Sequence, residues 1–322
     1  MVVLVTGGTG FIGRWVVKKL LDNNKKVVVI DNLKNSSIEN LNEFKEDKNF
    51  IDVIIDDIRN KTLIEKIYEK YKISNCIHLA AQIDVQESIE HPDRAFENNV
   101  IGTYNILEAA TKTNSKVVLI GTCLVYDVAD ANTAISESYR IIPRSPYAGS
   151  KIAAEQLAFS YYHGLGLPIV ILRPFNTYGP YQKTNMEGGV ISIFVNHKIR
   201  GEKLKIFGDG TQTRDFLYVE DCAEFIVNAS ENENCIGEVI NAGSGEDISI
   251  NDLAKLIVGD ETLIEHVKHH HPQSEIMKLV CNNSKAKKIL NWEPKTSIKE
   301  GIQKLEIWLK NFERQNNGKT CN

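Results

Sequence analysis

No stretch of this 322-residue chain stays apolar for the length of a bilayer crossing. Met1 to Thr6 enters a strand-like run at once, with no charged segment ahead of it, so no secretory leader is expected. The six cysteines are scattered and never form a Cys-x-x-Cys pair, which reads as reduced thiols rather than a disulfide framework or a zinc site. A basic excess is also missing. The formal net charge is -4, so nothing draws the chain to nucleic acid or to an anionic membrane surface. His269, His270 and His271 stand ahead of Pro272, but adjacent side chains rarely point at one ion. A polar loop is expected there, and no metal. A cytoplasmic globular protein is therefore expected, with more residues than one core usually needs.

What is present is a rhythm. Short β-rich runs alternate with helical spacing through the first half: Val2 to Thr6, Lys26 to Asp31, Phe50 to Asp56, Asn75 to Ala80, Lys116 to Cys123 and Pro168 to Pro174. Arg14 to Asn23, Ala95 to Thr113 and Pro146 to Gly164 carry the helical pattern. Continuous apolar strands between helices predict an α/β fold with a parallel sheet covered on both faces. After Pro174 the loops lengthen. Short strands are expected at Leu204 to Phe207, Asp215 to Val219, Glu238 to Asn241 and Met277 to Cys281. Helices are expected at Gly189 to Arg200, Glu220 to Asn228, Ile250 to Val258 and Ser297 to Asn311. The division is then a nucleotide-binding domain over 1–176, a smaller mixed α/β substrate lobe over 177–312 with some crossing back, and a polar, frayed tail over 313–322.

Gly7, Gly10 and Gly13, with Phe11 and Ile12 between them, join the first strand to the first helix. Glycine lets the backbone turn sharply and approach a pyrophosphate, and the helix N-terminus offers N–H groups and partial positive charge. Asp31 ends the second strand, where an acid would bond the adenosine ribose and repel a 2′-phosphate; Asn32 follows it. NAD is therefore expected, although Lys34 nearby argues the other way. Tyr147 and Lys151 share a helix face at i and i+4, with Ser145 as N-cap and Pro146 at the first helical position. An ammonium and a helix N-terminus beside a phenol should lower its pKa and make it a general base.

With these pieces in this order, the chain resembles the extended short-chain dehydrogenase/reductase family, in its nucleotide-sugar epimerase and dehydratase branch. The match runs from Met1 to about Asn311 and implies a Rossmann-like doubly wound sheet. The resemblance implies that Asp57 and Ile58 contact adenine, that Leu79, Ala80 and Ala81 line the cofactor, and that Asn99 supports the active site. It places Thr122 on the reacting oxygen and makes Tyr147 and Lys151 catalytic. Asn176, Val190, Phe207, Arg214 and Glu275 would hold the substrate, with Leu279 beside the sugar's 2-substituent. One departure is His271-Pro272-Gln273-Ser274-Glu275, where the family carries a second phosphate arginine; His271 or Lys278 would have to replace it. Another comes directly after Thr122. Dehydratases of this kind place an acid second after that residue, whereas here Cys123 and Leu124 stand. Leucine transfers no proton, which favours an epimerase. The resemblance thus implies NAD-dependent 4-epimerisation of a nucleotide-hexose of the UDP-glucose type. The alternatives are a dehydratase, decarboxylase or reductase on the same scaffold, or a non-catalytic NAD-binding regulator. It also implies a homodimer through the two long helices, with Val100, Ile106 and Leu157 serving interface or core.

Overall fold

The computed structural model describes residues 1–129, 133–184, 189–268 and 277–319, with side chains described to residue 314. The first half runs β1 (Val2–Thr6), α1 (Phe11–Asp22), β2 (Lys26–Asp31), β3 (Phe50–Ile55), α2 (Lys61–Tyr71), β4 (Ile73–His78), α3 (Val85–Glu90) and α4 (Pro92–Phe96). A π-helical turn (Glu97–Ile101) leads into α5 (Gly102–Thr113), then β5 (Lys116–Ile120), α6 (Pro146–Leu165), β6 (Ile169–Pro174) and β7 (Asn176–Tyr178). The second half runs α7 (Val190–Arg200), β8 (Leu204–Phe207), β9 (Thr213–Arg214), β10 (Phe216–Tyr218), α8 (Val219–Glu231), β11 (Val239–Ala242), β12 (Ile248–Ser249), α9 (Ile250–Val258), β13 (Ile264–Val267), β14 (Lys278–Leu279), α10 (Ser284–Leu290) and α11 (Ile298–Lys319).

Seven strands form one sheet in the order β11-β6-β5-β4-β1-β2-β3, and every pairing in it is parallel. Side chains alternate across it as the strand period requires. Val3 and Val5 join Val16, Val17 and Leu20 of α1 and Phe225 of α8 on one face, while Leu4 joins Ile64 and Ile67 of α2 and Ala154 of α6 on the other. This is the Rossmann-like doubly wound arrangement. The chain winds outward from β1 to β3, returns to β4 and winds the other way. The crevice at that reversal, between β1 and β4, is where such sheets bind ligands. A second core of α7, α9, α11, β8 and β10 closes around Phe194, Leu253 and Leu305.

Several expectations need correction. The run near Glu238 is the seventh strand of the central sheet, paired with β6, and not an isolated strand of the smaller lobe. β5 stops at Ile120, because Thr122 opens a 3-10 turn and its hydroxyl accepts from Leu124 N. The strand expected over Asp215 to Val219 shortens to β10, because Asp215, whose carboxylate is engaged elsewhere, separates it from β9 and Val219 opens α8. α11 continues to Lys319 through the segment expected to fray. α2 was missed although Asn60 caps it and Ile64, Ile67 and Tyr68 carry helical spacing. Ile106 is core and Leu157 packs against core. Among the described residues, no helix is long and apolar enough to cross a membrane.

Glu155 of α6 and Arg173 of β6 form a fully buried ion pair, with Arg173 Nη2 2.5 Å from Glu155 Oε2 and Nε at 3.1 Å. Arg173 Nη1 also donates to Tyr126 Oη at 2.8 Å, and that phenol donates to Asn241 Oδ1. The pair thus joins α6, β6, β11 and the turn after β5. Removing one partner strands the other's charge in the core. Glu155→Ala is expected to cost roughly 3–5 kcal/mol, and Glu155→Leu with Arg173→Met considerably less. Urea unfolding checks both; equal losses would show that packing rather than charge dominates.

Candidate active site

A cleft of about 360 Å³ opens at the sheet reversal. Gly7, Gly10, Phe11, Ile12 and Gly13 form its floor, and Asp31, Asn32, Ile58, Leu79, Ala80, Ala81, Thr122, Tyr147 and Lys151 stand on its walls. The glycines are steric necessities. Gly7 has φ +69°, and a Cβ there would lie 2.9 Å from Ala80 N. A Cβ at Gly13 would overlap the Gly7 carbonyl oxygen. Gly10 is the N-cap of α1, with no side-chain cap and no acid in the first turn, so the helix end is open to an anion. The buried Asp31 carboxylate accepts from Thr9 N, Leu33 N and Ser36 Oγ, which fixes it at the end of β2. Lys34, which argued for a 2′-phosphate, is ion-paired to Glu87 at 2.8 Å. The floor, the open helix end and Asp31 together fit the diphosphate and ribose of NAD.

Two expected cofactor residues are not on the cleft wall. Asp57 is turned toward Asn32 and Arg59, and its neighbours Asp56 and Ile58 line the cleft instead. Asn99 lies behind the wall on the π-helical turn. Its Oδ1 accepts from Gln82 N, and its Nδ2 donates to Gln82 O and Ser150 Oγ. Ser150 in turn donates to Tyr147 O. Asn99 therefore fastens the loop after β4 to the helix that carries Tyr147. A second chain runs through His78, which burial pushes down to about 3, so its ring is neutral. Thr103 donates to Asn99 O, so its oxygen accepts from His78 Nε2–H, and His78 Nδ1 accepts from Thr6. Gln82, Tyr181 and Lys183 also line the cleft and were not picked out from sequence. Gln82 was findable, since it directly follows the Ala80-Ala81 pair at a strand's C-terminal end.

Ser145 caps α6 by accepting from Ala148 N, and Pro146 occupies its first turn. Tyr147 and Lys151 are buried on that helix. The expected fall in the phenol's pKa is absent here. Burial pushes Tyr147 up to about 12, and a hydrogen bond with Thr122 pulls the other way without prevailing. Lys151 donates to Ile120 O at 2.5 Å, and burial pushes it down to about 8 while Glu155 opposes that shift. Next to Thr122, burial holds the Cys123 thiol protonated, up to about 12.

Of the expected substrate residues, Asn176, Val190, Phe207 and Arg214 lie outside this cleft wall. Arg214 and Asn176 meet around Asp215. Asn176 Nδ2 donates to Asp215 O, and the Asp215 carboxylate accepts from Ser244 N, Ser244 Oγ, Gly245 N and Cys281 N. Val190 starts α7 beside Gly189, which does line the cleft, and Phe207 ends β8 exposed. Lys278 pairs in register with Thr213 and Leu279 with Arg214, so Lys278 stands on the ladder face opposite Arg214. Its Nζ lies 3.7 Å from Asp247. Glu275 and His269 to His271 fall outside the described residues. Among the described residues no cluster of His, Cys, Asp and Glu is arranged to hold a metal.

The low pKa of Lys151 has a consequence for stability. The unfolded chain holds the lysine proton up to about 10.5, the folded one only to about 8, so stability rises with pH across that interval. Lys151→Met removes this dependence. Its stability relative to the native chain should be greatest at pH 7 and should fall between pH 8 and 10, as read by urea unfolding at each pH. A difference that stays flat would contradict a buried, easily deprotonated Lys151.

The family model described as GDP-mannose 4,6 dehydratase matches residues 4–305. A UDP-glucuronate 4-epimerase of Thermodesulfobacterium geofontis is 37% identical, covering 95% of this chain and 95% of that one. The X-ray structure of Pal from Bacillus thuringiensis superposes with a TM-score of 0.95 at 54% identity, over 97% of this chain and 100% of that one. A UDP-glucose 4-epimerase of Thermus thermophilus, solved with NAD, gives 0.88 at 30% identity, over 96% and 99%. The chain therefore belongs to the extended short-chain dehydrogenases/reductases, in the family of NAD-dependent enzymes that modify nucleotide-sugars.

Proposed function

We propose that the protein oxidises C4 of a nucleotide-hexose transiently and returns the hydride to the sugar, with 4-epimerisation of a UDP-hexose as the outcome. The observation that carries this reading is the convergence of Thr122, Tyr147 and Lys151 on one dinucleotide cleft. Tyr147 takes the C4 hydroxyl proton and Thr122 bonds the C4 oxygen. Lys151 holds the cofactor ribose and adds positive charge to the site. NAD supplies the reversible hydride acceptor and, when oxidised, a further positive charge in the cleft. Asn176 and Arg214 hold the diphosphate, about which the 4-keto sugar turns before hydride returns to its other face. Leu124 offers no base for removing a proton from carbon, which suits an exchange confined to C4.

Cys123 favours a second reading. Its protonated thiol adjoins Thr122 and is an acid that 4-epimerisation does not need. It suits a sugar with a C5–C6 double bond, in which the 4-keto intermediate takes hydride back at one alkene carbon and one proton at the other. We further infer a homodimer through α4, α5 and α6, because Phe96 and Ile101 remain exposed on that face.

Proton NMR of the anomeric region, after incubation with UDP-galactose and catalytic NAD, tests the first reading. The expected result is UDP-glucose with no net NADH. A lasting 4-keto product from a 5,6-unsaturated UDP-hexose, again with no net NADH, would support the second. Tyr147→Phe is expected to lower turnover by about 10²–10⁴-fold, with NAD binding intact; retained turnover would remove Tyr147 from the mechanism.

A further inference from the structure

The loops after β2 and β4 form opposite walls of the cleft, because β1 and its glycine loop lie between those two strands. A dinucleotide laid over that loop has its diphosphate at the helix end and a nucleoside toward each wall. Anything joining the two walls there passes across the cofactor. One such connection exists. Lys34, from the loop after β2, reaches Glu87 of α3, beyond β4, with Nζ 2.8 Å from Oε1.

Glu87 is set for this contact from its own side. Asp84 caps α3 by accepting from Glu87 N at 2.8 Å, which fixes the backbone. Arg94 Nη1 lies 3.1 Å from the same oxygen, and Gln82 Nε2 donates to the other at 3.2 Å. Hydrogen bonds from Lys34 and then Gln82 hold the carboxyl down at about 2, so it is ionised at any working pH. Lys34 and Gln82 both line the cleft. The anchor is thus built on the β4 side, and Lys34 is the arm that crosses to it.

We propose that Lys34 and Glu87 form a strap over the bound dinucleotide that slows its release. A redox-neutral reaction regenerates its NAD each turn and gains from keeping it. The inference rests on the assignment of the cleft to NAD. It also gives Glu87, which does not itself line the cleft, a role in retention. The pair is partly exposed, with Lys34 at 50% and Glu87 at 23%, so its effect is modest and falls with salt.

The full-length protein loaded with NAD is diluted into a trap that captures free NAD, and the cofactor still bound is followed by chromatography. Glu87→Gln is expected to speed release about three- to fivefold, and 0.5 M salt should speed release from the native chain toward the same rate. The sign is decisive. If Lys34 serves instead as a direct contact to the diphosphate, freeing it from Glu87 would slow release, and the strap is wrong. Lys34→Met with Glu87→Gln should release no faster than the faster single variant; multiplied effects would show two independent contacts and overturn the proposal. If the native chain binds no NAD at all, the assignment of the cleft fails first. Thermal melts of each variant separate a loosened strap from a damaged fold.

Discussion

The close approach of the glycine loop to the loop after β4 is the constraint on which the rest of the molecule depends. Gly7 touches the Ala80 backbone and Gly13 leaves no room for a Cβ against the Gly7 carbonyl, so α1 can begin only where it does. That start aims the open end of α1 into the gap between β1 and β4. It also brings the Ala80–Gln82 segment against the floor, and Asn99 clamps Gln82 from behind while reaching Ser150 of α6. The backbone carrying Tyr147 is thereby set relative to the diphosphate cradle. Cofactor and phenol are positioned by one continuous set of short-range contacts.

Much of this was legible in the sequence, for a physical reason. The glycine loop, Asp31, and the Tyr147–Lys151 pair with its Ser145 cap are local patterns, set by strand and helix periods and by cap chemistry. Residues whose role comes from distant partners were not legible. Nothing near Glu238 says that its strand pairs with β6, because that pairing joins segments about seventy residues apart in the chain. Nothing near Lys34 names Glu87. Asp57 was placed by resemblance as an adenine contact, whereas it turns to Arg59; Asn99 was placed as a support of the active site, and only the fold shows that it does so by bracing the wall against Ser150. The i, i+4 spacing put Lys151 on the helix face of Tyr147, where the cleft is, but said nothing of burial. Burial, which costs any charged group its hydration, decides the state of Tyr147 and of Lys151.

The side proposed to hold the substrate is organised by a different device. Asp215 is buried and spends its carboxylate on four donors from two loops, which leaves the adjacent Arg214 and the neighbouring Asn176 fixed by the same knot. The ladder also bears on the missing second arginine. Lys278 lies beside Thr213 and not beside Arg214, so neighbouring strands do not place the two cations together on one face.

These two devices leave the chemical outcome to very few side chains. The glycine loop, Asn99 and α6 hold the hydride-transfer half in place, and none of them depends on the identity of residues 123 and 124. The 3-10 turn Cys123–Val125 is shaped by its backbone and by the Thr122 hydroxyl. Leu124 only rests against the apolar cluster of Val125, Phe175 and Leu279. An acid there would not move the scaffold, because the turn would keep the same backbone hydrogen bonds. Relatives with similar folds can therefore differ in chemistry, and on the proposed mechanism the side chains at 123 and 124 carry more information about the product than the fold does.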